Sequence, residues 1–152
     1  MQHQFENLRK SRLLQLKLID GLSIDQLNAI PDGFKNNIAW NIGHLVVTQQ
    51  LLCYKNSGLP CKVSDEMIEL YKKGSVPSVP VTSEEFEKIK TLFIDVVSQF
   101  EADYNAGVFK NYTSYTTSVN ITLTDIDTAI DFNSFHEGIH LGVLLAIRKL
   151  VK

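Results

Sequence analysis

The chain has 152 residues, 44% of them hydrophobic and 21% charged, with a formal net charge of -2. Such a composition suits one globular domain over residues 1–152 that can bury a core unaided, and it argues against general disorder. The near-neutral balance leaves no electrostatic footprint for nucleic acid, and no run approaches the ~18 apolar residues that a membrane span needs.

Four long segments carry helical periodicity. The first runs from about Gln4 to Gly21, with Phe5, Leu8, Leu16 and Ile19 on one stripe. Arg12 interrupts that stripe. Its guanidinium is expected to snorkel to solvent, the alternative being that it faces a site and receives an anionic substrate. Ser23 and Gln26 form a capping box, so a one-turn helix is expected over residues 24–29. Pro31-Asp32-Gly33 punctuates the chain before a second long helix that starts near Asn37 and ends at Asn56-Ser57-Gly58. Ile38, Ile42, Leu45, Val46 and Leu52 trace one face of that helix, and Trp40, His44, Val47 and Leu51 trace another. A helix apolar on two faces is mostly buried.

Residues 59–81 hold three of the four prolines and one short helical run, Asp65 to Lys73. This is the pattern of a connection crossing one end of a bundle. A second capping box, Thr82 with Glu85, opens the third long helix, whose apolar positions Phe86, Ile89, Phe93, Val96, Val97, Phe100 and Tyr104 precede a stop at Gly107. Residues 108–123 read equally as a short hairpin or a long loop. The last helix runs from about Thr124 to Leu150. Four long helices with a long crossover predict an all-α fold, an antiparallel four-helix bundle. Cys53 and Cys61 do not make a disulfide framework, and the charged stretch Met1–Leu18 lacks the marks of a signal peptide, so a cytoplasmic protein with reduced thiols is expected.

The chemistry-bearing residues are histidines. Of four, His3 lies at the terminus, whereas His136 and His140 are one turn apart on a face shared with Ala129, Asn133, Val143 and Ile147. Two buried imidazoles cost free energy unless each is hydrogen-bonded, and a divalent metal that takes both as neutral ligands resolves the problem. His44 falls on an apolar face of a separate helix and is the obvious third ligand. The competing reading is three core histidines satisfied by hydrogen bonds. His136-Glu137-Gly138-Ile139-His140 matches the zinc-protease string H-E-x-x-H, but no downstream ligand follows: Leu141–Lys152 contains no acid and no histidine. Glu137 points about 100° away from His136 around the helix and is expected to be a surface or interface acid. Its alternative role is to reach a metal-bound water and serve catalysis. Asn133 either orients a ligand or fills a polar gap, Trp40 belongs to the core or walls a pocket, and Cys53 is too far along its helix to share the metal.

The segment Asn37-Ile38-Ala39-Trp40-Asn41-Ile42-Gly43-His44-Leu45 resembles the W-x-x-G-H-L segment of DinB-like proteins. Leu123–Asp125 together with Phe135–Gly142 resembles the last helix of that family, with its H-x-x-x-H-x-G ending. The order of motifs agrees over essentially the whole chain. The resemblance implies a four-helix bundle holding a divalent metal, commonly nickel or zinc, through His44, His136 and His140, and a frequent homodimer. It further implies a metal-dependent hydrolase or a thiol-dependent transferase acting on a small molecule, with a non-catalytic small-molecule or metal-binding bundle as the alternative. Val143 stands where many members carry Gln, which bears on the particular activity and leaves the three histidines untouched.

Overall fold

The computed structural model describes residues 1–151, and its architecture is all-α apart from one two-residue strand pair. The helices are α1 (Gln2–Ile19), α2 (Ile24–Asn28), α3 (Ile38–Gln49), α4 (Asp65–Tyr71), α5 (Ser83–Asn105) and α6 (Ile126–Leu150). The four long ones pack in a closed circuit in which α1 and α3 each touch both α5 and α6. No described helix is long and apolar enough to cross a membrane.

The helix starts follow from side-chain capping. Ser23 and Gln26 cap α2 reciprocally, as do Thr82 and Glu85 at α5. Asp125 and Thr128 do the same at α6, a third box that the sequence reading passed over in placing the start near Thr124. Asn37 caps α3 by accepting from the Trp40 backbone N–H at 2.7 Å. Gly58 stops the α3 segment in the left-handed conformation, at φ 72°.

Between Gln49 and Gly58 the helix is not regular. Gln50–Tyr54 winds as a π-helix and Lys55–Ser57 as a 3₁₀ turn. Such a widened turn shifts every following side chain around the axis relative to a straight helix. The hairpin-or-loop ambiguity of residues 108–123 resolves into both. Thr116 and Thr122 pair between strands β1 (Tyr115–Thr116) and β2 (Thr122–Leu123), and the rest is irregular.

The core lies in two connected regions. One gathers Ile38, Ile42, Leu45, Phe93, Leu144 and Ile147. The other is aromatic, with Phe5 meeting Phe100 edge-on at 5.2 Å between centroids and Phe100 meeting Phe109 at 5.4 Å. Both cysteines are free, and burial pushes the Cys53 thiol far up.

Two expectations for polar residues are overturned here. Arg12 does not snorkel: it is fully buried, its Nη2 donates to Glu137 Oε1 at 2.7 Å, and its Nη1 donates to the Phe93 carbonyl at 2.7 Å. Its guanidinium also lies 4.5 Å from the Phe93 ring centroid. Glu137, in turn, is 1% exposed, so it is no surface acid. Its second oxygen accepts from Gln15 Nε2 at 3.0 Å. With both oxygens engaged toward α1, the carboxylate is not free to act as a base for a water on the histidine side. The apolar environment forces the two charges together, because either one alone would be desolvated without compensation. Arg12→Met is therefore expected to lower unfolding free energy by about 3–5 kcal/mol. Adding Glu137→Leu to it should recover part of the loss, as measured by urea denaturation; a double variant as unstable as the single one would show that the lone carboxylate is not the cause.

Candidate metal centre

The site is built from α3 and α6. In α3, one turn of buried helix carries Trp40, Asn41, Gly43 and His44. In α6, the i, i+4 spacing stacks His136 and His140 on the face turned toward α3. The ring centroids of His44 lie 5.3 Å from His136 and 4.9 Å from His140, and the α6 pair is 4.5 Å apart. One ligand nitrogen from each ring falls within 4.8 Å of the others. The three histidines singled out from the sequence are thus brought together, while His3 lies at the exposed N-terminus beside Glu6.

Hydrogen bonding fixes which nitrogen of the His44 and His140 rings faces the centre. His44 Nδ1 lies 2.7 Å from the Tyr71 carbonyl oxygen, which can only accept, so Nδ1 carries the proton and Nε2 keeps its lone pair. Thr48 Oγ1 stands 3.3 Å from that Nε2. Asn41 donates its amide Nδ2 to the Asn37 carbonyl at 2.7 Å, which leaves Asn41 Oδ1 to accept from His140 Nδ1 at 2.7 Å. His140 Nε2 is therefore bare as well, and it sits 3.2 Å from His136 Nε2.

Glycine at position 43 has a steric reason. A Cβ there would lie 2.5 Å from a carbon of the Tyr71 ring. Only without one can Tyr71 pack close enough to α3 for its carbonyl to reach the neighbouring His44. Trp40 stacks on the other flank of His44, with centroids 4.5 Å apart and planes 12° apart, and its indole N–H donates to Ser75 Oγ at 3.0 Å. Trp40 is both core and wall: it is 5% exposed and also lines a separate cavity beside α4.

Asn133 is buried among these elements with both side-chain polar atoms unpartnered in the protein, as is His136 Nδ1. Tyr71, Asn41 and Thr48 were not singled out from the sequence. Asn41 carried a signal, since it is three residues before His44 on the same helix. The carbonyl of Tyr71 carries none, because a backbone acceptor has no residue signature.

Burial keeps the rings neutral. Desolvation lowers the His44 pKa. It pushes His136 down to about 4, helped by the neighbouring His44, and His140 down to about 3, helped by His136 and His44. Neutral imidazoles with converging lone pairs are what a borderline cation requires. The α6 pair has the right spacing, since two nitrogens at ~2.0–2.1 Å from one zinc-like ion, at angles of 90–110°, stand about 2.8–3.4 Å apart, and His136 and His140 stand 3.2 Å apart.

Beside the histidines opens a cavity of about 390 Å³ that reaches His44, Thr48, Leu51, Phe132 and His136. The π-helical segment after α3 contributes Leu51 and Leu52, and the strand pair contributes Tyr115. Fold and site together define an all-α protein with a three-histidine pocket able to hold a divalent cation. The chain belongs to the DinB superfamily, whose sequence profile matches residues 7–144. No curated protein matches it.

Because the three pKa values are depressed in the fold, the unfolded chain binds more protons between its ordinary histidine range and the folded values. Protein kept in chelator is thus expected to hold its full stability above about pH 6.5 and to lose it progressively toward pH 3–4, beyond the loss shown by a His136→Gln/His140→Gln variant in the same buffers. Equal acid sensitivity in both would show that the pair is not the source.

Proposed function

We propose that this chain is a metal-dependent enzyme, a hydrolase or thiol-dependent transferase acting on a small molecule, built as an antiparallel four-helix bundle with a long crossover. The observation that carries the reading is the 3.2 Å approach of His136 Nε2 to His140 Nε2, with the opposite nitrogens of His140 and His44 tied to protein oxygens. Two tethered rings whose Nε2 atoms carry lone pairs match the way metal-ligating histidines are oriented by a second hydrogen bond.

His44, His136 and His140 would hold the cation, nickel or zinc. Held there, it supplies Lewis acidity, which brings the pKa of a water or thiol toward neutrality. Tyr71 and Asn41 fix the His44 and His140 rings so that the site pays little reorganisation when it loads. Leu51 and Phe132 exclude water on the cavity side, and the Thr48 hydroxyl offers a donor beside His44. Glu137 has no part in this chemistry, since its carboxylate belongs to Arg12 and Gln15.

Protein purified without an affinity tag is expected to carry or take up one divalent cation per chain, by elemental analysis and titration. Trp40 is the only tryptophan and stacks on His44, so nickel or cobalt should quench its fluorescence. His44→Ala should lose on the order of 100-fold in metal affinity, and His3→Ala should lose none. No uptake, with no quenching, removes the reading.

The same reading includes a homodimer. Phe135 and Ile139, one turn apart on α6, are 53% and 43% exposed, and a second copy would cover them. Light scattering should return twice the chain mass, and a monomer at tens of micromolar would rule this part out.

A further inference from the structure

The charges around the histidine cavity differ from those around the other sizeable cavities. Lys55 and Lys73 line it, and no acidic residue does. The cavity between α3, α4 and residues 76–81 has Glu66 and Glu85 with Lys88, and the one between α1, α2 and α5 has Asp20 and Glu87 with Lys17 and Lys90. The lysines of those two cavities include paired ones, Lys88 with Glu84 at 2.8 Å and Lys90 with Glu87 at 2.6 Å. Among the described residues no carboxylate lies within ion-pair distance of Lys55 or Lys73. In a chain of net charge -2, this is a local field of one sign over apolar walls, the arrangement that concentrates counter-charged ligands.

Both lysines are placed by the elements that build the site. Lys55 opens the 3₁₀ turn directly after the π-helical segment. Lys73 lies between two anchors: the Tyr71 carbonyl bonded to His44 at 2.7 Å and Ser75 Oγ bonded to the Trp40 indole at 3.0 Å. The cavity, at about 390 Å³, has the size of a small-molecule site, and Leu51, Leu52 and Phe132 supply apolar wall.

We propose that the histidine cavity takes a small anionic molecule, whose carboxylate or phosphate is held by Lys55 and Lys73 while an apolar portion lies against Leu51 and Phe132. This assignment rests on the reading of the cavity as the substrate site. It differs from the sequence-based alternative in which Arg12 received an anion, since Arg12 is committed to Glu137.

The test uses phenyl phosphate and phenylacetate as anionic probes and phenylacetamide as the neutral control. Each is titrated by NMR into the full chain, first in chelator and then loaded with zinc. In chelator, where no cation can attract the anions, both acids are expected to bind tighter than the amide. The Lys55→Gln/Lys73→Gln variant should weaken the acids by about 10-fold or more and leave the amide unchanged. Zinc affinity of the variant should stay within about two-fold of the parent, because neither lysine is a ligand. A second readout needs no variant: raising salt should weaken the acids and not the amide. Acids that bind no tighter than the amide, or bind the variant as well as the parent, overturn the proposal. Failure to take up zinc while the acids keep their lysine-dependent preference would overturn the metal reading alone. The tighter of the two acids identifies the anionic group.

Discussion

Two imidazole nitrogens held 3.2 Å apart inside a helical fold impose the constraint that organises the rest of this protein. The two rings cannot both be charged there, since two cations at that distance repel strongly. His140, like the neighbouring His44, is held one way by an acceptor at its far nitrogen, whereas His136 Nδ1 has no protein partner. The fold meets this by local means. Asn37 caps α3 with its side chain and accepts from Asn41 with its carbonyl, so one residue sets both the start of the helix and the amide that orients His140. Gly43 lets α4 approach, and α4 delivers the Tyr71 carbonyl to His44. The short helix α4 thereby belongs to the candidate metal centre.

A second polar centre lies within the same core and has a different purpose. Arg12 donates to Glu137 and to the carbonyls of Phe93 and Leu45, and Gln15 donates to the second oxygen of Glu137. Both oxygens of the carboxylate are thereby engaged from α1, and Glu137 does not line the cavity. Sites of this kind fix how helices are matched, because a one-turn slip of α1 against α6 would strand both charges. Position 137, next to His136 in the sequence, contributes to helix matching, while positions 136 and 140 belong to the candidate site.

How much of this was legible in the sequence depends on range. Periodicity and capping residues gave the helices to within a few positions, because both signals are local: Thr82 with Glu85 opens α5 as expected. The i, i+4 spacing of His136 and His140 was readable for the same reason, and the apolar face around His44 marked it as inward. Arg12 was misread because its partner is 125 residues away, and a lone basic residue on an apolar stripe looks the same whether it reaches water or a buried acid. The π-helical turn at Gln50–Tyr54 left no composition signal, as the apolar run continues through it. Tyr71 acts through a carbonyl that every residue has. Lys55 and Lys73 carry no pattern in the sequence that would join them to His44, since only the fold sets all three along one cavity.

The distance along the chain between Arg12 and Glu137 has a consequence during synthesis. A ribosome adding about 5–20 residues per second needs roughly 6–25 s to reach Glu137 after Arg12 has been made. For all that time the N-terminal helix has a guanidinium with no carboxylate to meet and an apolar stripe with no α6 to cover it. Nascent chains of this protein therefore pass through a long interval in which α1 can meet α5 but not α6, and α6 is the piece that completes the packing around α1.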